Sequence, residues 1–191
     1  LEWYRTSAGI EELMADCEAL IGRAAAAVDA LHKTARHGIP IDLTPPFERL
    51  EVDDAFARFA GWRPGGAPDP DRFDRDLVDC VEPALPKERP VFLVGYPRAM
   101  ASLARLDPNN PERALRFELY AGGLELANGF TELTDASEQR TRFECERELR
   151  RTRGLLCPAL DERFLEALEL GMPPCAGIAL GMDRLAMLLT N

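Results

Sequence analysis

A chain of 191 residues with 46% hydrophobic and 29% charged content has the make-up of an ordinary soluble protein, with enough length for one domain and its core. Its 33 acidic and 23 basic side chains leave a net charge of −10, which argues against a broad nucleic-acid-binding surface. Cys17, Cys80, Cys145, Cys157 and Cys175 form no CxxC pair and lie far from His32 and His37, so neither a zinc site nor a disulfide framework is expected. No stretch of eighteen apolar residues and no signal-peptide pattern is present, which makes no membrane span and a cytoplasmic location the expectation.

The elements read in chain order as α+β. Leu1 to Arg5 forms a short first strand. Ile10, Leu13, Met14, Cys17, Leu20, Ile21 and Ala24 then recur at helical spacing and predict a helix over 9–31 with one buried stripe. Pro45-Pro46 precedes a second short helical pattern through Phe56 and Phe59, and Arg63 to Pro70, rich in proline and glycine, reads as a loop or turn. A helix near 71–84 leads to the apolar run Pro90 to Tyr96, a candidate central strand, and Asp107-Pro-Asn-Asn-Pro111 makes a polar loop.

Phe117 to Glu132 predicts two strands joined by a tight Gly122-Gly123 turn. Residues two apart share a sheet face, so Phe117, Leu119 and Ala121 face one way, and Glu118 and Tyr120 the other. With a two-residue turn Ala121 pairs with Leu124, Leu119 falls against Leu126, and Glu118 lies near Glu125 on a diagonal. Two neighbouring carboxylates repel unless a cation intervenes. They are either solvated glutamates or the ligands of a hard divalent ion such as Mg²⁺, which takes one or two carboxylates plus substrate phosphates. Asn128, Phe130 and Glu132 continue the alternation, and an amide, a ring and a carboxylate in that order suit an amino acid ending in an ammonium group.

Asp135, with Glu138 three residues on, opens a helix as a capping box. That helix carries six arginines from Arg140 to Arg153 among Glu144, Glu146 and Glu148, a pattern that fits either a salt-bridged solvated face or a dock for an acidic partner. Leu160, Phe164, Leu165 and Leu168 predict one more amphipathic helix. Finally a small-residue strand, Gly177-Ile-Ala-Leu, turns at Gly181 into an apolar helix bearing Arg184. A guanidinium at such a joint either snorkels to the surface or meets a planar or anionic ligand, of which a nucleotide is the simplest.

The stretch Phe117 to Phe143 together with the closing GIALGMDRLAMLL resembles the class II lysyl-tRNA synthetase superfamily, with Arg184 in the place of the motif 3 arginine. Within it the chain is most similar to the branch of lysyl-tRNA synthetase paralogues that modify translation elongation factor P. Three features point to that branch: Ala179 where the tRNA enzymes usually carry glycine, the departure of Tyr96 to Ala104 from their Ser-Pro-Leu-Ala pattern, and a shorter Tyr4–Tyr96 segment.

The resemblance implies an antiparallel sheet flanked by helices, and a chain that covers residues 1–191 of a catalytic domain from the end of motif 2 through motif 3, without motif 1 and most of motif 2. It implies ATP and Mg²⁺ as cofactors, with Glu118 and Glu125 on the metal, Glu118, Glu125, Leu126, Gly181 and Arg184 at the nucleotide, and Glu125 and Arg184 as the catalytic pair. It places Glu2, Tyr4, Asn128, Phe130, Glu132 and Ala179 around lysine or, given the extra methyl of Ala179, β-lysine. The implied reaction is ATP-dependent formation of an aminoacyl-adenylate and transfer to a lysine of elongation factor P. A lysyl-tRNA synthetase core is the alternative within the superfamily, and the acidic charge disfavours a tRNA partner. A non-catalytic synthetase-like binding module is the alternative outside catalysis, because the arginine of motif 2 lies outside the chain. The family dimerises through motif 1, so homodimerisation is an expectation for the full-length protein alone.

Overall fold

The computed structural model describes residues 1–31 and 34–190; His32, one of the two histidines weighed as metal ligands, lies outside them. Its centre is a six-stranded sheet built from β1 (Glu2–Thr6), β4 (Glu48–Glu51), β5 (Val91–Val94), β8 (Arg116–Ala121), β9 (Leu124–Thr131) and β10 (Cys175–Leu180). The strand order is β1-β10-β9-β8-β5-β4. All neighbours are antiparallel except β4 and β5, which run parallel, so the sheet is mixed rather than wholly antiparallel. β4 is invisible to an alternation test because its sequence, Glu-Arg-Leu-Glu, offers one apolar residue to a sheet edge.

Two small hairpins stand apart from the sheet: β2 (Ala35–Arg36) with β3 (Ile39–Pro40), and β6 (Leu106–Asp107) with β7 (Asn110–Ala114). The second closes the segment expected to be an open polar loop, since Asp107 pairs with Asn110 across Pro108-Asn109 and its carboxylate accepts from the Asn109 amide at 2.8 Å.

One sheet face packs on α1 (Ile10–Ala27) and α6 (Met182–Thr190). Leu13, Met14, Cys17 and Ile21 of α1 meet Phe92, Phe117, Leu119 and Ile178, all buried, and each fully buried aliphatic side chain contributes on the order of 2 kcal/mol. α1 stops at Ala27, earlier than its periodicity suggests. Its last buried residue is Ala25, and the chain turns at Asp29, where φ is 56°, to bury Ala30.

The other face is covered only over β4, β5 and β8, by α2 (Val52–Phe59) and α3 (Pro70–Asp76). Phe56 and Phe73 stack there with centroids 4.7 Å apart, against Val91, Leu93 and Tyr96. The helix expected over 71–84 keeps α geometry only to Asp76, then widens to a π-type turn over Leu77–Val81 and tightens to 3-10 over Glu82–Ala84. Over β1, β10 and β9 this face is left open, with Glu2, Tyr4 and Ala179 exposed.

α4 (Ala136–Thr152) starts at Asp135, whose carboxylate accepts from the Glu138 amide at 2.9 Å. The Glu138 side chain pairs with Arg142 at 2.5 Å. α5 (Glu162–Gly171) packs back on α4 through Phe143 and Phe164 and the Arg140–Glu162 pair. The arginines of α4 largely find carboxylates: Arg150 with Glu146, Arg151 with Glu148 and Arg153 with Asp71, which is the salt-bridged reading. Among the described residues no helix is long and apolar enough to cross a membrane.

Candidate active site

The open face is organised by strand register. Glu2, Ala179, Asn128 and Glu118 are direct partners across β1, β10, β9 and β8. The adjacent row on the same face is Tyr4, Gly177, Phe130 and Arg116. Residues far apart in the chain thus become two parallel rows spanning four strands.

The two rows depend on an irregularity. Ala121 pairs with Leu124 and Tyr120 with Glu125, but Leu119 pairs with Ala127 and not with Leu126. Leu126 is the extra residue of a β-bulge, and both it and Ala127 turn into the core. Strict alternation from Glu125 cannot include Asn128; the bulge shifts the phase so that Glu125, Asn128 and Phe130 share the open face. It also sets Asn128, not Ala127, opposite Glu118, while Glu125, beside Tyr120, keeps the expected diagonal to Glu118.

Glu118 is buried, at 7% exposure, and both its oxygens are engaged. Oε1 accepts from Arg116 Nη2 at 2.7 Å and from Asn128 Nδ2 at 3.4 Å. Oε2 accepts from the hydroxyls of Tyr96 at 2.6 Å and Tyr120 at 2.7 Å. Burial and the neighbouring carboxylate hold both tyrosines well above their ordinary pKa, so they stay protonated donors. Tyr120 also meets Glu82 at 3.1 Å, and burial raises the carboxyl of Glu82.

Arg184 does not simply reach into solvent. Its Nη1 donates to the Glu125 carbonyl at 2.6 Å and lies 3.3 Å from the Glu125 carboxylate, with both side chains partly exposed. Gly181, at the strand-to-helix joint, donates its amide to the Leu126 carbonyl at 2.8 Å, which fastens α6 to the bulge. Leu126 itself lies under the site, 2% exposed in the core, so its side chain does not reach the open face.

At the other end Glu132 is half-buried beside Tyr4 and Gly177, and burial pushes its carboxyl up to about 7. Glu132 and Glu2 in turn raise Tyr4, after burial. The face therefore grades from a carboxylate with a poised proton, past a ring and an amide, to two acids and an arginine.

Mg²⁺ fits this set through Glu125. Among the described residues its Oε1 has no hydrogen-bond partner, and the side chain is 39% exposed. At Glu118 an ion would take the place of one of four donors, because all of the carboxylate's lone pairs are in use. No group of three or more His, Cys, Asp or Glu side chains that could hold a metal ion occurs among the described residues.

The family model for class II tRNA synthetases of the D, K and N type matches residues 1–191. The chain belongs to that family.

Two kinds of relative resemble this class II chain. A lysine–tRNA ligase of Anaeromyxobacter sp. (strain K) is 35% identical over 227 aligned positions, covering 100% of this chain and 44% of the ligase. An elongation factor P–(R)-β-lysine ligase of Haemophilus influenzae is 36% identical over 208 positions, covering 98% of this chain and 59% of that protein. A ligase of the same name from Klebsiella pneumoniae is 52% identical over 108 residues, 56% of this chain. The chain spans about half the length of the first two relatives.

Every site residue expected from the sequence lies on this face or at its rim, except for the buried side chain of Leu126. Arg116, Tyr96, Tyr120 and Glu82 are not among the site residues expected from the sequence, although Tyr120 is placed there on the face of Glu118. Arg116 and Tyr120 had a signal, since they flank Glu118 at two-residue spacing and must share its face. Tyr96 and Glu82 had none, because they arrive from β5's end and from the turn after α3.

Proposed function

We propose that this chain is the lysine-activating part of a class II ligase that joins β-lysine, through an adenylate, to a lysine of translation elongation factor P. Residues 1–191 would then be the stretch of the catalytic domain from the end of motif 2 through motif 3. The observation that carries the reading is the pair of rows Glu2–Ala179–Asn128–Glu118 and Tyr4–Gly177–Phe130–Arg116, which set an amino-acid pocket ending at Glu132 beside the Glu125–Arg184 corner.

The amino acid lies along the rows with its side-chain ammonium at Glu132, its methylenes on Phe130 and its carboxylate toward the Glu125–Arg184 corner. ATP meets it at Arg184, whose guanidinium is free to leave an exposed pair worth at most about 1 kcal/mol and to contact the nucleotide. The amino-acid carboxylate oxygen attacks the α-phosphorus, forming one P–O bond as the bond to pyrophosphate breaks. No side chain accepts a proton in this step, so positioning and charge neutralisation carry it. Mg²⁺, held by Glu125 with Glu118, would supply that neutralisation on the phosphates. The acceptor's amine then attacks the acyl carbon, and AMP leaves.

Ala179 supports β-lysine because its exposed methyl stands between Glu2 and Asn128, where an α-amino group would sit. The second reading, lysine transfer to tRNA, is supported by the match to lysine–tRNA ligases along the entire chain. The two part on acceptor: incubation with ATP, Mg²⁺ and (R)-β-lysine adds one lysyl mass to elongation factor P under the first reading, whereas acid-precipitable lysyl-tRNA with α-lysine supports the second. Binding of nucleotide and amino acid with neither product supports a non-catalytic module.

A further inference from the structure

Arg116 is the charged member of the two rows to which the proposed function gives no role, yet its guanidinium engages three hydrogen-bond acceptors and a ring. Its Nη2 donates to Glu118 at 2.7 Å, its Nε faces Asn128 Oδ1 at 3.4 Å, and its Nη1 donates to the Met100 carbonyl at 2.9 Å. The guanidinium carbon also lies 4.5 Å from the centre of the Tyr96 ring, whose hydroxyl holds the other oxygen of Glu118. Phe130 of the amino-acid pocket is its cross-strand partner.

Only an arginine performs this combination. The planar fork reaches a carboxylate, an amide and a carbonyl in three directions while its face stacks on a ring; a lysine ammonium has one centre and no face. Asn128 is fixed from both sides, since its Oδ1 faces Arg116 and its Nδ2 meets the very oxygen of Glu118 that Arg116 holds. A shift of Glu118 on the nucleotide side is therefore transmitted to Asn128 on the amino-acid side through one side chain.

We propose that Arg116 is the positioning residue that couples the two halves of the site, so that occupying one pre-orders the other. This rests on the functional reading above. Binding of either ligand holds the Arg116–Glu118–Asn128 unit in the arrangement that the other ligand needs, so the second ligand meets a site already ordered. Such coupling is reciprocal: the nucleotide must tighten the amino acid by the factor by which the amino acid tightens the nucleotide.

Calorimetry on the full chain tests it, with α-lysine and (R)-β-lysine each titrated in the presence and absence of Mg²⁺ and a non-hydrolysable ATP analogue. The unsubstituted chain is expected to bind the preferred amino acid roughly tenfold more tightly with the nucleotide present. In Arg116→Met both ligands still bind but that factor falls to about one. Arg116→Lys, which keeps the charge beside Glu118, retains nucleotide affinity and still loses the coupling. Thermal unfolding of both variants shows that they are folded.

Tenfold coupling surviving in a folded Arg116→Met would overturn the proposal and leave the functional reading intact. An unsubstituted chain that binds neither ligand would overturn both.

Discussion

Gly177 lies directly beneath Tyr4 and Glu132: a Cβ built on it would stand 2.5 Å from Tyr4 Cε1 and closer still to a carboxylate oxygen of Glu132. Both neighbours are the free ends of flexible side chains, so an alanine at 177 would displace them without rebuilding the sheet. Gly177→Ala is expected to weaken amino-acid binding at least tenfold while leaving the melting temperature nearly unchanged. Titration calorimetry beside a thermal scan separates the two effects.

Gly129 provides the contrast. It sits in the buried row of β9 between Ile178 and Phe117, and a Cβ there would lie 2.7 Å from the Phe117 ring, which is locked against Phe92. Overpacking a filled core costs about 1–3 kcal/mol, so Gly129→Ala should lower the unfolding free energy by that amount, and its ligand affinity in the folded state should hold. Urea unfolding measures it.

Glu132 should make amino-acid binding depend on pH. An ammonium group favours the ionised carboxylate, so affinity rises as pH passes upward through about 7, and below that pH binding releases a proton. Stability runs the other way. Glu132 is protonated in both states below its unfolded pKa, and as pH rises toward about 7 the unfolded chain ionises first, which costs the fold roughly 1–2 kcal/mol after allowance for partial exposure. Glu132→Gln should be more stable than the unsubstituted chain at pH 8, with weaker, pH-independent binding. Denaturation and titration at pH 5, 6, 7 and 8 check both signs.

Much of the site could be read from sequence because its members alternate on strands. Glu2 with Tyr4, Asn128 with Phe130, and Gly177 with Ala179 each share a face by spacing alone. What spacing could not supply was the register between strands. The bulge at Leu126 shows in the sequence only as the doublet Leu126-Ala127 breaking the alternation, and without it Glu118 is paired with Ala127 instead of Asn128. Side chains brought in from elsewhere were equally hidden: Tyr96 and Glu82 reach Glu118 and Tyr120 only through tertiary packing. The fold followed the same rule, with the long periodic helix α1 and the apolar β5 evident and the polar edge strand β4 missed.

Ala179 is exposed between Glu2 and Asn128, so its methyl can change what the pocket admits without disturbing the core. Ala179→Gly is expected to shift the ratio of α-lysine to β-lysine affinity at least fivefold toward α-lysine. Parallel titrations with the two isomers measure the ratio. An unchanged ratio would remove Ala179 from the specificity argument.

Whether this face joins an amino acid to a nucleotide is decided by pyrophosphate release from the chain with Mg²⁺-ATP and either α-lysine or (R)-β-lysine, beside an Arg184→Ala control. Arg184 is half exposed, so its loss should cost the fold no more than about 0.5 kcal/mol and the control remains folded. Release is expected to favour β-lysine and to be lost with Arg184. No release with either amino acid, or equal release from the Arg184→Ala chain, would contradict the proposed function.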